Sequence, residues 1–415
     1  MQSFTVIFLA VLLANVALRL WLSSRQARHV RAHRAQVPTE FAASIPLSAH
    51  QKAADYTLAK GRLGRADLLF TVALLLAWTV GGGLQALDDA WRLAGWNDLA
   101  TGTAVLLSVF LITSVLELPF SIYRIFVLEA RFGFNQTTPR TFIADLAKGA
   151  LLALVLGIPL ITLVLWLMQV TGESWWLWVW AAWTGFTLFL IWAYPMLIAP
   201  LFNRFEPLGD AATRQRIEAL LAHCGFSSRG IFVMDGSRRS GHGNAYFTGF
   251  GRNKRIVFFD TLLNTLEPAQ VEAVLAHELG HFRRRHVLKG MLLQFGLSLA
   301  ALALLAWLIG TDWYFSGLGI ETPSLHLALA SFLLVTPVFG FFLQPVLAWL
   351  SRRHEFEADA FAVSQTDADS LVQALVRLYR DNASTLTPDP LHSAFYDSHP
   401  PAAIRIAHLK VQAAL

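Results

Sequence analysis

The sequence predicts a mostly α-helical, polytopic membrane protein that carries a small polar α+β domain on one side of the bilayer. Three observations lead there. The 415-residue chain is 55% hydrophobic and only 15% charged, against roughly 25% charged residues in a soluble domain. Its apolar residues gather into stretches of about 18 or more, the length that spans a bilayer as a helix. Its polar residues gather into two blocks, roughly 200–288 and 351–415. These numbers exclude intrinsic disorder and an ordinary soluble enzyme. The formal net charge of +5 is reached by cationic loops alone, without a nucleic-acid partner. The single cysteine, Cys224, leaves neither an intramolecular disulfide nor a thiolate site, so a metal would rest on His, Asp or Glu.

Seven stretches, near 4–22, 67–87, 103–122, 149–171, 175–199, 290–310 and 327–350, are each long enough at about 1.5 Å per residue to cross roughly 30 Å of hydrocarbon. The first reads as an uncleaved anchor, because no basic residue precedes it and Arg25, Arg28, Arg31 and Arg34 follow. The loop behind it adds Lys52, Lys60, Arg62 and Arg65 against Glu40 and Asp55, which places that loop in the cytoplasm and the N-terminus outside. Asp88, Asp89 and Asp98 beside Arg92, and Asp312 with Glu321, then fall in outside loops, as acid-rich segments should. Trp175, Trp176, Trp178 and Trp180 read as an interfacial aromatic belt.

An odd number of spans puts both polar blocks on the cytoplasmic face. The expected organisation is five membrane helices with their loops over 1–199, a cytoplasmic insertion over 200–288, two further membrane helices over 289–350, and a cytoplasmic tail over 351–415. Within the insertion, 211–223 has helical spacing, whereas 230–234 and 255–259 are β-branched and aromatic runs bounded by turn residues. Residues 244–249 form another short extended candidate.

The sharpest motif is His277-Glu278-Leu279-Gly280-His281. Residues 268–286 read as one helix, on which positions four apart share a face, so both imidazoles can reach a single cation. Glu278 projects beside them, where a general base must sit to take a proton from water at that cation. Apolar Val271, Val274, Leu275 and Leu279 mark a buried-type helix, on which His and Glu need partners. A hydrolytic zinc takes a third protein ligand and keeps one open position. No Gly-x-x-His extends the motif, since position 284 is Arg and His286 comes too early. The alternative is a carboxylate on a separate helix. Just after the seventh span, Glu355 and Asp359 lie four apart on one face while Glu357 points elsewhere. The hairpin of spans six and seven brings Glu355 back toward His277 and His281. Asp359, one turn on, is placed to orient a ligand imidazole or to handle a proton.

Taken with Phe126–Asn135, Asn244–Asp260, Ser351–Ala362 and Ser398–Pro401, this motif resembles the type I CAAX prenyl proteases, integral-membrane zinc endopeptidases, from about residue 50 to the C-terminus. The resemblance implies a barrel of seven helices around an intramembrane chamber, with one zinc ion on His277, His281 and Glu355 at its cytoplasmic end. It implies Glu278 as the base, Asp359 as the accompanying acid and His399 as a stabiliser of the oxyanion. Asn244, Ala245, Tyr246 and Phe247 match the segment that pairs with substrate backbone. The partners implied are the bilayer and a peptide or protein substrate, isoprenylated in the family. Quality-control proteolysis of membrane proteins without a prenyl requirement is the second expectation. A polytopic transporter or metal-binding scaffold is the distant one, because it calls for ionisable residues deep within the spans. Glu117 is the main candidate for that and sits near a span end, while Arg140 and Asp145 lie in a loop.

Overall fold

The computed structural model describes residues 3–226, 230–248 and 255–413. Six helical segments are long and apolar enough to span a membrane: Ser3–Ala32, Asp98–Glu129, Pro139–Val170, Gly172–Phe202, His286–Ile309 and Leu325–Gln365. A seventh span is a bent pair, Leu47–Trp78 and Gly83–Arg92, with 51° between the two parts. The expected continuous helix over 67–87 is therefore interrupted. Gly81, Gly82 and Gly83 supply the break, and Gly82 adopts φ +76°, a conformation that costs glycine little. A Cβ on Gly83 would lie 2.7 Å from the Ala77 carbonyl oxygen, so the corner closes only without side chains.

The helices converge at one end of the bundle. Phe4, Phe8 and Leu12 meet Trp78, Leu84, Val105, Val109, Leu165, Met168, Trp175, Val179, Leu305 and Leu327 in one buried cluster. These come from the ends remote from the polar domain. Toward the polar domain the same helices present exposed apolar side chains, among them Leu116, Ile143, Leu151, Trp192, Val287 and Leu292. Trp178 is exposed as a belt residue should be, but Trp175 is buried and the Trp180 indole donates to the Phe295 carbonyl at 2.9 Å, so these two are packing residues.

The polar blocks share a separate core. Ile217, Leu221, Ile256, Phe258, Val271, Leu275 and Leu279 pack with Ala362, Leu371, Leu375 and Leu409 of the tail. A fully buried aliphatic side chain contributes roughly 1.5–3 kcal/mol, so this core joins insertion and tail firmly. A four-stranded sheet runs in the order β1 (Phe205–Pro207), β2 (Ile231–Met234), β4 (Arg255–Phe259), β3 (Ala245–Thr248). β2 and β4 are parallel, and β3 pairs antiparallel with β4 at the sheet edge. Of the expected extended segment 244–249, Gly249 lies outside the described residues, as do 250–254 of the Asn244–Asp260 stretch.

Asp145 docks this domain on the membrane helices. The Arg239 guanidinium donates to both of its carboxylate oxygens, at 2.8 and 3.0 Å. The Phe134–Gln136 backbone meets Arg239–Gly241 through Gly241 N–H to Phe134 O at 3.0 Å and Gln136 N–H to Arg239 O at 3.1 Å. The segment leading into β3 is thus held by the loop that precedes the Pro139–Val170 helix.

Candidate metal centre

The motif helix runs Pro268–Arg283, with proline in its first turn and a capping box between Glu267 and Gln270. It ends before the expected 286. Arg285 takes φ +57° and a new helix starts at His286, so the chain turns sharply at the membrane end of the motif. The motif helix lies against Gln344–Gln365. A Cβ on Gly280 would fall 2.9 Å from the Ala358 Cα and carbonyl oxygen, so the glycine within the motif permits the contact that brings Glu355 across.

His277 Nε2 and His281 Nε2 stand 3.2 Å apart. His281 Nε2 lies 3.1 Å from Glu355 Oε1, and His277 Nε2 lies 3.5 Å from Glu355 Oε2. Ligand atoms around a tetrahedral ion with bonds of about 2.0–2.1 Å are about 3.3–3.4 Å apart, so the three side chains fit one cation. Glu355 Oε2 is buried and has no hydrogen-bond partner among the described residues; its charged neighbours, His277 Nε2 and Arg405 Nη1, both stand back at 3.5 Å, which leaves its lone pairs available to a cation. Burial alone would raise the Glu355 carboxyl, yet the two imidazoles against it outweigh that effect and hold the group well below the ordinary carboxylate range.

The outer nitrogens of both imidazoles are engaged. His277 Nδ1 is 2.8 Å from Asp359 Oδ1, and His281 Nδ1 is 3.0 Å from His286 Nδ1. His286 Nε2 in turn meets Glu357 Oε2 at 3.1 Å. If the outer nitrogens donate, both Nε2 lone pairs face the cation position. Asp359 is fully buried and clamped by Arg405, whose Nε and Nη2 donate to it at 2.7 and 2.6 Å. Arg405 Nη2 also lies 3.0 Å from His277 Nδ1. Two donors do not bond one another, so the shorter contact assigns the His277 proton to Asp359. Burial would raise the Asp359 carboxyl, but His277 and Arg405 keep it below the usual carboxylate range.

Glu278 is half-buried and makes no hydrogen bond or ion pair among the described residues. His399 lies beside Glu355, with Nε2 3.5 Å from Oε1, the oxygen that His281 also approaches. Ser398 Oγ is 2.9 Å from His399 Nδ1, an acceptor position that leaves Nε2–H free to donate. Although the His399 side chain is 60% exposed, partial desolvation by the surrounding chain lowers its imidazole below the ordinary value, which favours the neutral ring. Asn244 precedes β3, where its carbonyl accepts from Phe259 N–H at 3.0 Å and its side chain accepts from Ala245 N–H at 2.8 Å. The edge of β3 away from β4 is unpaired among the described residues.

Arg405, His286 and the partner role of Glu357 escape a reading of the sequence alone. Arg405 had a signal: with Ala402, Ile406 and Leu409 it occupies the buried stripe of its helix, and a cation on such a stripe needs a partner. His286 had none, because its position depends on the left-handed turn at Arg285.

A membrane bundle bearing this centre on an HExxH helix defines the class: an integral-membrane metalloendopeptidase. Residues 26–204 match the CAAX prenyl protease N-terminal family of five membrane helices, and residues 207–413 match peptidase family M48. The CAAX prenyl protease 1 homolog of Arabidopsis thaliana is 37% identical over 75% of this chain and 73% of its own length. The human homolog is 31% identical over 97% and 95%. A crystal structure of Ste24p from S. mikatae matches with a TM-score of 0.90 and 28% identity, covering 99% of each chain. The chain belongs to peptidase family M48, and its relatives within it are the CAAX prenyl proteases.

Proposed function

We propose that this chain is a zinc endopeptidase that cleaves near the C-terminus of membrane-associated, isoprenylated proteins, with its active centre on the cytoplasmic face. One observation carries the chemistry: three ligand atoms converge on the helix that also bears an unengaged carboxylate, Glu278, next in the chain to His277. His277, His281 and Glu355 would hold the ion, which supplies Lewis acidity toward the scissile carbonyl and the attacking water. An extended peptide adds to the free edge of β3, where backbone pairing from Asn244 to Phe247 sets its register. Glu278 takes the proton of the attacking water and passes it to the leaving amine. His399 donates from Nε2 to the carbonyl oxygen as negative charge develops there. Asp359 orients His277; its ionised clamp with Arg405 supports this positioning role over proton donation. The membrane helices would enclose the chamber for a lipidated substrate.

His286 and Glu357 hold His281 in the tautomer that presents Nε2. Replacing His286 by Ala is expected to weaken metal affinity by about 10- to 100-fold, read by competition with a chromogenic chelator. His286→Gln, which retains an acceptor for His281, should recover part of the loss; an unchanged affinity in both variants removes the role.

The substrate class is tested by a farnesylated peptide and its unmodified twin. A kcat/KM advantage for the farnesylated form supports the prenyl-dependent reading, and equal rates support general clearance of membrane proteins. The orientation rests on the cationic loop after the first span. Cys224, the sole cysteine, should resist an impermeant maleimide in sealed right-side-out vesicles and react once they are opened; labelling before opening contradicts it.

A further inference from the structure

A cavity of about 560 Å³ opens beside the metal centre, between the polar ends of the first two helices and the segment 384–401. His399 belongs to its wall, so the cavity adjoins the carboxylate that would hold the metal. Lys60, on the Leu47–Trp78 helix, belongs to the same wall. Its side chain is exposed and makes no hydrogen bond or ion pair among the described residues; the carboxylate that acts on its charge is Glu129, which lies outside the cavity wall and is engaged by the Tyr56 hydroxyl. Its Nζ rests 4.2 Å from the centroid of the Tyr56 ring, which positions an ammonium without neutralising it. A second group awaits a partner: His392 lines the cavity, and its buried Nδ1 is unpaired among the described residues. Asp397 is the one carboxylate on the wall, so an anion entering the cavity is directed away from it and toward Lys60.

An unpaired ammonium in a concavity that adjoins a peptide-cleaving centre suits a carboxylate. A cavity of this volume is about 10 Å across, and three extended residues span about the same length. We propose that this cavity receives the short C-terminal segment released by hydrolysis and that Lys60 holds its α-carboxylate. The site then measures the distance from the chain terminus to the scissile bond, which distinguishes C-terminal trimming from internal cleavage. Lys60 is a specificity-determining residue in this account, and the proposal rests on the endopeptidase function proposed above.

The test uses the full-length protein in lipid nanodiscs with two matched peptides, one ending in a free carboxylate and one in a carboxamide. Wild type should favour the acid by about tenfold in kcat/KM, the scale of one charge-assisted contact. Lys60→Met should erase that preference by slowing the acid peptide alone, and Lys60→Arg should keep most of it. Equal slowing of both peptides, as loss of a lipid-headgroup contact or of folding would give, overturns the proposal; so does a wild type that cleaves both alike. Calorimetry reads the same contact without turnover, using the released tripeptide acid and its amide with Glu278→Gln protein. About tenfold tighter binding of the acid, lost in the Lys60→Met double variant, supports the carboxylate site even if no peptide is cleaved. Equal binding of acid and amide contradicts it, whereas absent hydrolysis with this binding intact counts against the endopeptidase reading alone.

Discussion

Glu278→Gln should lower peptide hydrolysis by about 10²- to 10⁴-fold, the usual contribution of a positioned general base, without releasing the metal. The amide keeps the size of the side chain but cannot accept the proton of the attacking water. Glu278 makes no hydrogen bond or ion pair among the described residues, so the substitution leaves none unpaired, and folding should be unaffected. The loss should fall on kcat, because the proposed mechanism holds the peptide at the β3 edge and not through Glu278. Single-turnover kinetics at saturating peptide checks this. Substantial turnover by the variant would assign the base elsewhere.

Arg405→Met should produce the largest loss of stability from one substitution at this centre. Arg405 and Asp359 are both buried and joined by two short hydrogen bonds. Removing the guanidinium leaves the buried Asp359 carboxylate with only His277 as partner and takes the longer 3.5 Å contact from Glu355, and breaking a buried pair from one side costs about 3–5 kcal/mol. The polar domain of the variant should therefore melt at a lower temperature. Adding Asp359→Asn removes the stranded charge and should restore part of the loss. An unchanged melting temperature for Arg405→Met contradicts the clamp. Recovery of stability without recovery of metal affinity in the double variant separates Asp359's hold on His277 from its part in folding.

Much of this architecture is legible because membrane helices obey a simple solvent rule. A run of apolar residues long enough to satisfy its own backbone in hydrocarbon has few alternatives, and all seven expected spans correspond to helical segments. The details that escape are local. The corner at Gly81–Gly83 bends one expected straight span into two helical parts, because three successive glycines allow a bend that hydropathy does not register. The turn at Arg285 separates the motif helix from the following span and places His286 against His281, through a left-handed residue no pattern announces. The His-His-Glu grouping is readable because helical spacing places side chains on faces and a hairpin returns its ends together. The Arg405 clamp is harder, since only a three-dimensional core shows that its charge is buried beside Asp359.

Metal analysis of the purified protein, paired with peptide hydrolysis, tests the central claim that one zinc held by His277, His281 and Glu355 is the hydrolytic centre. The account predicts one zinc per chain in wild type and in Glu278→Gln, with activity only in the former, and neither zinc nor activity in the His281→Ala, Glu355→Ala double variant. Stoichiometric zinc and undiminished hydrolysis in that double variant would contradict it.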